Sequence, residues 1–296
     1  MKTRRALVIG KSGQLARELA RHACDSGWLL DFLGREKLDL TQQDSISTGI
    51  EAHLKAHADT CCIINAAAYT AVEKAETEPD LAFAINRDAV AQLAETASAF
   101  DLPMLHVSTD FVFDGSAAIP YCESDAVAPL NVYGQSKLEG EQALMALNPQ
   151  HYVLRTAWLF SAFEGNFLTT MLRLGREREQ LRVVDDQIGS PTPADALAEA
   201  LLHLARQAVE PGQRPGWGLY HFAGDTAMSW AGFARAIFAT ASIDCDVEPV
   251  TTEAYGSSVR RPSYSVLDTD RLKNSAGIDP PNFRHALQRA LARIAS

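Results

Sequence analysis

The sequence lacks the features that mark membrane, secreted and nucleic-acid-binding proteins. No apolar run approaches the roughly 18 residues of a spanning helix, and the start MKTRRALVIG carries only a four-residue apolar run, too short for a secretory signal. The net charge of -10 disfavours nucleic acid and anionic membranes as partners. We therefore expect a cytoplasmic protein without either partner, in which an anionic ligand would need a local cluster of positive charge.

Cysteine is scarce, and no repeat or low-complexity segment occurs. The five cysteines form an odd, scattered set with neither the spacing of a zinc site nor that of a disulfide framework. Reduced thiols, as in the cytoplasm, are the expectation. A hydrophobic content of 47% and a charged content of 22% are those of an ordinary globular protein.

What the chain does contain is a regular alternation of short apolar strands with helical segments. The candidate strands are ALVIG, WLLDFL, CCIINAAA, PMLHVST and HYVLRTAWLF. Unbroken apolar strands of this kind are buried on both faces, so they predict a parallel sheet between two layers of helices. The sequence predicts an α/β fold, a doubly wound Rossmann-type sheet whose ligands bind at the carboxyl ends of the strands.

The last third of the chain has a different pattern and predicts a smaller substrate domain. We assign residues 1–158 and 183–225 to a dinucleotide-binding domain, and residues 159–182 and 226–296 to the substrate domain. The second domain would then be intercalated with the first.

A glycine pattern follows the first strand directly. In VIGKSGQLA, Gly10 and Gly13 precede Ala16 with two residues between successive members. Gly10 permits a tight turn, Gly13 permits close approach of a pyrophosphate to the helix N-terminus, and Ala16 lets helix and strand pack closely. In this strand-turn-helix context the pattern predicts dinucleotide binding.

The end of the second strand bears on the choice of cofactor. Asp31 lies in mid-strand, early for a carboxylate that binds the adenosine ribose, whereas Arg35 falls where a 2'-phosphate would lie. This favours NADPH, with NADH as the alternative if Arg35 is an ordinary loop residue. Asp39 and Leu40 are candidates for the adenine edge, or for a role in starting the next helix.

Tyr133 and Lys137, in NVYGQSKLEGEQAL, form the candidate catalytic pair. Their i, i+4 spacing places both on one helix face. A lysine ammonium beside a phenol favours the phenolate and should lower the tyrosine pKa from about 10. Such a tyrosine can protonate a carbonyl oxygen as hydride reaches the carbon. The competing interpretation is a solvated helix start.

Ser108, Thr109 and Asp110 end the fourth strand, in HVSTDFVFDG. A hydroxyl there can bond a substrate carbonyl, or it can simply cap a turn. With the glycine pattern and the tyrosine-lysine pair in this order, catalysis is favoured.

The combined segments resemble the extended short-chain dehydrogenase/reductases and, among them, the dTDP-4-dehydrorhamnose reductase family. The matching segments are GKSGQLA, NAAAYTAVEKAE, STDFVFDG, LNVYGQSKLEGE, LRTAWLFS, VVDDQIGSPT and RPSYSVLD. The resemblance covers nearly the whole chain.

The resemblance implies a role for each matching residue. Tyr133 would be the proton donor, Lys137 its partner, and Thr109 and Asp110 would touch the sugar. The residues that would contact the cofactor are Gly13, Gln14, Leu15, Ala66, Ala67 and Ala68. Trp158 would line the sugar-nucleotide pocket, and Arg261 would meet the diphosphate unless it forms only a surface salt bridge.

Ala16 stands where the family often has Gly, a mild change, and two further positions depart from the family or match it incompletely. Phe111 stands where the family usually has Tyr, which removes a polar contact; related dehydratases have Glu there for elimination, so plain reduction is favoured. Some relatives bind Mg²⁺ at a dimer contact through glutamates. Glu18 matches one such position and the others find no match, so the sequence leaves Mg²⁺ and a homodimer open.

The expected activity is NAD(P)H-dependent reduction of the C4 ketone of dTDP-4-dehydro-L-rhamnose to dTDP-L-rhamnose, for surface polysaccharide. One alternative is a sister reductase of opposite C4 stereochemistry. Another is a non-catalytic nucleotide-binding subunit resembling the regulatory subunit of methionine adenosyltransferase.

Overall fold

The computed structural model describes residues 4–210, 212 and 215–295. Its strands are β1 (Arg4–Ile9), β2 (Trp28–Leu33), β3 (Thr60–Asn65), β4 (Met104–Thr109), β5 (His151–Thr156), β6 (Leu159–Phe160), β7 (Gln180–Val184), β8 (Ile188–Gly189), β9 (Thr192–Pro193), β10 (Gly218–His221), β11 (Met228–Ser229) and β12 (Asp246–Val250).

The helices cover both faces of the main sheet and build a second lobe. They are α1 (Gln14–Ser26), α2 (Gln43–Ala56), α3 (Val72–Ala75), α4 (Pro79–Phe83), α5 (Ala89–Ala99), α6 (Val132–Leu147), α7 (Phe167–Glu177), α8 (Ala194–Val209), α9 (Trp230–Ala241), α10 (Thr252–Tyr255), α11 (Asp270–Ala276) and α12 (Phe283–Ala295). A π-helical segment (Ala84–Asp88) joins α4 to α5, and a 3-10 turn (Asp110–Val112) follows β4. Within the described chain, no helix has both the length and the apolar character needed to cross a membrane.

Six strands form the main sheet, in the order β10-β5-β4-β3-β1-β2. Every neighbouring pair is parallel. The chain moves from β1 outward to β2 and then returns to β3 on the other side of β1, so the strand order reverses between β1 and β3. This confirms the predicted doubly wound fold, and it opens a crevice beyond the carboxyl ends of these two strands.

Apolar side chains bury both faces of this sheet. On one face, Leu19 of α1 and Leu201 of α8 pack with Val8; on the other, Ile46 of α2 and Leu93 of α5 pack with Ile63. Strands that are apolar on both faces need this double cover, because an exposed face would leave its Val and Ile side chains in water.

A separate core holds the second lobe together. Helices α7, α9 and α12 pack around Phe160, Phe233 and Phe283, beside the small parallel sheet of β7 and β12. The predicted division into residues 1–158 with 183–225 and residues 159–182 with 226–296 stays a prediction. Leu272 of α11, which falls in the range assigned to the substrate domain, packs in the core of the main sheet.

Candidate functional site

The turn between β1 and α1 leaves room for a phosphate group to approach its backbone. Gly10 has a φ of 98°, and a Cβ there would meet Ala67 at 3.2 Å, so both the conformation and the space require glycine. A Cβ on Gly13 would meet nothing within 4 Å, and Gly13 precedes α1 as an N-cap residue without a side-chain hydrogen bond. The first amides of α1 therefore face open space, which suits a pyrophosphate.

A crevice of about 320 Å³ extends from this turn toward the end of β2. Predicted cofactor residues that line it are Gly10, Arg35, Asp39, Leu40, Ala67 and Ala68. Lys11 also lines it, a cation that sequence reasoning missed although it follows Gly10 directly. We call this space the β1–β2 crevice.

Arg35 reaches out from the rim of the β1–β2 crevice. Its side chain is 82% exposed, and its Nε lies 3.7 Å from a carboxylate oxygen of Asp39. Thr41 donates hydrogen bonds to Asp39 from its backbone and hydroxyl, and these bonds lower the pKa of the Asp39 carboxyl. Asp39 therefore remains an anion that lies beside Arg35 at the rim of the crevice.

The carboxylate of Asp31 is engaged by other side chains and is not free to bind a ribose. Its carboxylate forms an ion pair with Arg5 at 2.6 Å, and His53 lies 3.8 Å away. Asp31, His53 and His57 form the one group of three potential metal ligands found among the described residues. Arg5 already neutralises Asp31, and none of these three residues lines the β1–β2 crevice.

The remaining predicted cofactor residues lie around the same turn. Gln14 begins α1 and accepts a hydrogen bond from the hydroxyl of Ser161 at 2.8 Å. Leu15 is buried in the core, so only its backbone faces the turn. Ala66 directly follows β3, and its amide donates to the Ile9 carbonyl at 3.0 Å.

Helix α6 carries the candidate catalytic pair in its first two turns. Asn131 caps the helix by accepting a hydrogen bond from the Gly134 amide at 2.8 Å. Tyr133 is partly buried, and the ring of Phe111 packs edge-on against it with centroids 5.5 Å apart. Lys137 is 2% exposed, and its Nζ donates to the Val107 carbonyl at 2.7 Å. A solvated helix start is excluded for Lys137.

The predicted direction of the Tyr133 pKa is wrong. Burial, with the charge of Asp110 adding to it, raises the pKa of Tyr133 to about 12, while a hydrogen bond with Thr109 acts in the opposite direction. The spacing of the pair could not show how strongly burial penalises a phenolate. The phenol therefore stays protonated near neutral pH, as an unperturbed tyrosine does, so it still carries a proton to donate.

The end of β4 brings a hydroxyl and a carboxyl to the same place. Thr109 donates to a carboxylate oxygen of Asp110 at 3.1 Å and accepts a hydrogen bond from the Phe111 amide at 3.2 Å, so it does cap a turn. Burial raises the pKa of Asp110 to about 6. One oxygen of Asp110 and the hydroxyl of Ser108 are buried without a protein partner. Buried polar atoms left this way are available to a ligand.

A second cavity, of about 440 Å³, lies in the second lobe, and Glu73 of α3 closes one side of it. We call it the Trp230 cavity; its lining includes Trp230, Phe167, Tyr255, Arg182 and Arg261. Arg261 forms an ion pair with Glu73, which is the salt bridge that the sequence analysis gave as the alternative to a diphosphate contact. Arg261 also lines the cavity. Trp158 stacks face to face on Trp230 with ring centroids 3.5 Å apart, so it supports an aromatic wall that sequence reasoning had missed.

Glu18 is fully buried and its carboxylate is already paired. Arg21 contacts one oxygen and Arg293 the other, each at 2.8 Å. Over the described part of the chain, Glu18 joins no group of three potential metal ligands. Two arginines at this distance disfavour a cation, so the residues around Glu18 do not fit Mg²⁺.

Comparisons with known proteins agree across the whole chain. The family model of the RmlD substrate binding domain matches residues 4–296. The dTDP-4-dehydrorhamnose reductase of Sinorhizobium fredii is 40% identical over 289 residues, which cover 96% of each chain. The spore coat polysaccharide biosynthesis protein SpsK of Bacillus subtilis is 35% identical over 292 residues, covering 99% of this chain and 98% of that protein.

A solved structure extends the similarity to three dimensions. The dTDP-4-dehydrorhamnose reductase of Bacillus anthracis, solved in complex with NADP, superposes with a TM-score of 0.91 at 32% identity, and the match covers 99% of both chains.

Proposed function

The chain belongs to the dTDP-4-dehydrorhamnose reductase family, and we propose that it uses NADPH to reduce the C4 ketone of dTDP-4-dehydro-L-rhamnose, giving dTDP-L-rhamnose. The observation that carries the proposal is the meeting of Tyr133 with Thr109 at the end of β4, backed by the buried Lys137. The product would serve polysaccharide synthesis, in line with the name of the B. subtilis relative.

The residues that would hold the cofactor fit it. Gly10 and Gly13 leave space and free helix amides for the pyrophosphate, and Arg35 with Lys11 offers positive charge to a 2'-phosphate. NADPH is therefore favoured over NADH, as in the NADP complex of the B. anthracis relative. When bound, NADPH supplies the hydride that is added to C4.

The chain's own residues handle the proton and the oxygen. We assign to Tyr133 the donation of a proton to the C4 oxygen, since it is a protonated phenol that meets Thr109 at the end of β4. We assign to the Thr109 hydroxyl the orientation of that oxygen. Phe111 carries no acid for elimination of water, which favours reduction over dehydration.

The Trp230 cavity suits a nucleoside diphosphate. Flat aromatic side chains such as Trp230 and Phe167 can stack with a base, and Arg182 and Arg261 can bind phosphates. These arginines answer the need for local positive charge in a protein of net charge -10. We further propose a cytoplasmic location; a homodimer stays a proposal without support from a described contact.

Turnover with product identification tests the proposal. The purified protein, alone, should oxidise NADPH when given dTDP-4-dehydro-L-rhamnose, and NMR should identify dTDP-L-rhamnose. Tyr133→Phe should lower kcat on the order of 10²-fold, whereas Tyr220→Phe, which removes a hydroxyl bonded to the Gly216 carbonyl, should not. The opposite C4 configuration would indicate the sister reductase, and no oxidation would favour the regulatory subunit.

A further inference from the structure

Two histidines and one aspartate form a group between β2 and the end of α2, outside the lining of the β1–β2 crevice. His53 lies in the last turn of α2, and His57 follows as its C-cap residue, with its amide bonded to the His53 carbonyl at 2.9 Å. Their i, i+4 spacing places the two rings side by side, with centroids 4.9 Å apart. Asp31 completes the group, in which one potential ligand atom from each residue lies within 4.8 Å of the other two.

The hydrogen bonds of His53 show which of its nitrogens faces the carboxylate. The Nε2 lies 3.8 Å from Oδ2 of Asp31 and 3.0 Å from the hydroxyl of Thr60. The Thr60 hydroxyl donates its single hydrogen to the His57 carbonyl at 2.8 Å, so it can only accept a bond from His53. Burial lowers the pKa of His53, which keeps the ring neutral near pH 7. The single ring proton of His53 therefore lies on Nε2 in this structure.

The charges around the group favour a cation. Arg5 donates to Oδ2 of Asp31 at 2.6 Å and to Asp59 at 2.9 Å, so one guanidinium serves two carboxylates. With neutral histidines, one unit of negative charge remains. Glu18 differs, because two arginines meet its single carboxylate.

The carboxylate of Asp31 can bind a metal ion without losing Arg5. Both of its ion-pair contacts within the described chain, with Arg5 and His53, use Oδ2, so Oδ1 is left for a metal ion. Carboxylates that ligate metals are themselves commonly hydrogen-bonded from their other side, which orients them toward the ion. Arg5 is placed to act as that outer partner.

We propose that Asp31, His53 and His57 bind a divalent transition-metal ion, best fitted by Zn²⁺, which joins the edge strand β2 to the end of α2. Two imidazoles and one carboxylate are ligands that Zn²⁺ takes, and three protein ligands leave a fourth position to water. Mg²⁺ and Ca²⁺ prefer oxygen ligands, so neither should bind here. The site does not rest on the proposed reduction, to which none of these residues is assigned.

The group can be reached from solvent. The side chain of Asp31 is 32% exposed and His57 is half-buried, whereas the side chain of His53 is only 6% exposed. An ion can therefore enter past Asp31 and His57 while the chain stays folded. Because β2 and the end of α2 meet only in the folded chain, an ion bound to both stabilises the folded state.

Zinc titration tests the site in protein that carries no histidine tag and has been freed of metal with EDTA and dialysed. We expect calorimetry to show one Zn²⁺ bound per chain, and the melting temperature to rise with Zn²⁺ but not with Mg²⁺. His57→Gln should lower the Zn²⁺ affinity by at least about tenfold, since losing even an outer partner of a metal site costs about 10–100-fold. Glutamine keeps the backbone carbonyl that Thr60 uses, so the variant should fold.

A matched control for His57→Gln is His203→Gln, at an exposed histidine of α8. The control should bind Zn²⁺ as tightly as the natural protein does. Equal affinities in the natural protein and in both variants would overturn the proposal, and so would the absence of Zn²⁺ binding at micromolar concentrations.

The tautomer of His53 gives a second measurement, which needs no variant. In protein labelled with ¹⁵N-histidine, long-range ¹H–¹⁵N spectra distinguish a proton on Nε2 from a proton on Nδ1. We expect the His53 proton on Nε2 without Zn²⁺ and on Nδ1 with it, because the metal takes the Nε2 lone pair while the neutral ring keeps one proton. A proton that stays on Nε2 at saturating Zn²⁺ would overturn the assignment of His53 as a ligand.

Discussion

Arg35 is the residue at which the two nicotinamide cofactors should be distinguished. Arg35→Ala removes a guanidinium that can grip a 2'-phosphate, which only NADPH carries. Because the side chain is 82% exposed, water and salt weaken the contact, and we expect an affinity loss of about tenfold for NADPH and under about twofold for NADH. Fluorescence titration of both cofactors measures this.

A matched control for Arg35 is Lys55→Ala. Lys55 is 80% exposed on α2 and pairs with Glu51 at 3.7 Å, so its removal changes the net charge equally without touching the β1–β2 crevice. Equal losses for NADPH and NADH in Arg35→Ala, or equal effects in both variants, would show Arg35 to be an ordinary loop residue.

Asp110 should make the protein less stable as the pH rises. Its pKa is about 6 in the folded chain and near 3.8 when unfolded, so the folded state holds the proton more tightly between these values. The unfolding free energy therefore falls from about pH 4 to pH 6, by at most about 3 kcal/mol. Asp110→Asn should lose this pH dependence and be the more stable protein at pH 7.5.

Urea unfolding at pH 4.5 and pH 7.5 checks the Asp110 prediction. The advantage of Asp110→Asn over the natural protein should grow between the two pH values, whereas Asp279→Asn, at a carboxylate 75% exposed, should show no such trend. A constant difference for Asp110→Asn would mean that its carboxyl is not perturbed by burial.

At the scale of single residues, the sequence indicated candidate site residues better than it indicated the direction of their pKa shifts. Tyr133 meets Thr109 at the end of β4, but the predicted lowering of the Tyr133 pKa was wrong, because burial raises that pKa and the charge of Asp110 adds to the rise. The contacts of His106 with Asn65 and Lys137 were not predicted, because the sequence shows His106 and Asn65 only as polar residues within apolar strands. Their contacts join three elements, and no local spacing reveals them.

Helix α6 depends on close packing against the π-helical segment. A Cβ on Gly140 would overlap the backbone carbonyl oxygen of Asn86, so α6 can approach that segment only through glycine. Gly140→Ala gains up to about 1 kcal/mol of helix propensity but must push backbone aside, which costs about 1–3 kcal/mol. We expect a net loss of stability in Gly140→Ala. We also expect kcat to fall, because Tyr133 and Lys137 move with the helix.

Denaturant unfolding and turnover, measured together, test the role of Gly140. Gly216→Ala is the control, since a Cβ there meets nothing within 4 Å. A Gly140→Ala variant as stable and as active as Gly216→Ala would show that α6 is free to shift.

The periodicity of residues 79–100 predicts one continuous helix, and the structure interrupts it. The π-helical turn from Ala84 to Asp88 places the Asn86 side chain inward, where it bonds the Tyr69 backbone and the Ser136 hydroxyl at 2.9 and 3.0 Å. A π turn inserts one residue into the helical register. Apolar periodicity continues on either side, so the pattern alone cannot locate it.

At the scale of the whole molecule, an ion pair of Glu18 connects α1, which covers the main sheet, to α12 of the second lobe. Arg293 of α12 reaches Glu18 of α1 across 275 positions of sequence, with an N–O distance of 2.8 Å. Glu18→Gln removes the negative charge that Arg21 and Arg293 share. Since both arginines are partly exposed, we expect a loss of about 2 kcal/mol in unfolding free energy, less than for a fully buried pair.

In protein freed of transition metals, measurements in EDTA and in Mg²⁺ distinguish the ion pairs of Glu18 from a metal site at Glu18. With both oxygens of Glu18 bound to arginines, the mass in solution and the melting temperature should be the same in EDTA and in Mg²⁺. Glu177→Gln, which breaks an exposed pair within α7, should change stability by under about 0.5 kcal/mol. An EDTA-sensitive mass or melting temperature would restore Glu18 as a metal ligand.

The large-scale architecture was predictable because strand and helix patterns are local and repeat along the chain. The β1 to β5 alternation with its glycine turn specified a doubly wound sheet, and the structure confirms it. The Trp158–Trp230 wall and the Glu18–Arg293 pair were not predictable, since each joins distant segments whose approach depends on the packing of both lobes.

Deuteride transfer tests the central claim most directly. The protein is given dTDP-4-dehydro-L-rhamnose with NADPH that carries deuterium at the transferable position of the nicotinamide, and the product is examined by NMR. The proposed reduction predicts dTDP-L-rhamnose with deuterium at C4 alone, formed on the order of 10² times more slowly by Tyr133→Phe. Deuterium at another carbon, the opposite configuration at C4, or unlabelled sugar recovered unchanged would contradict it.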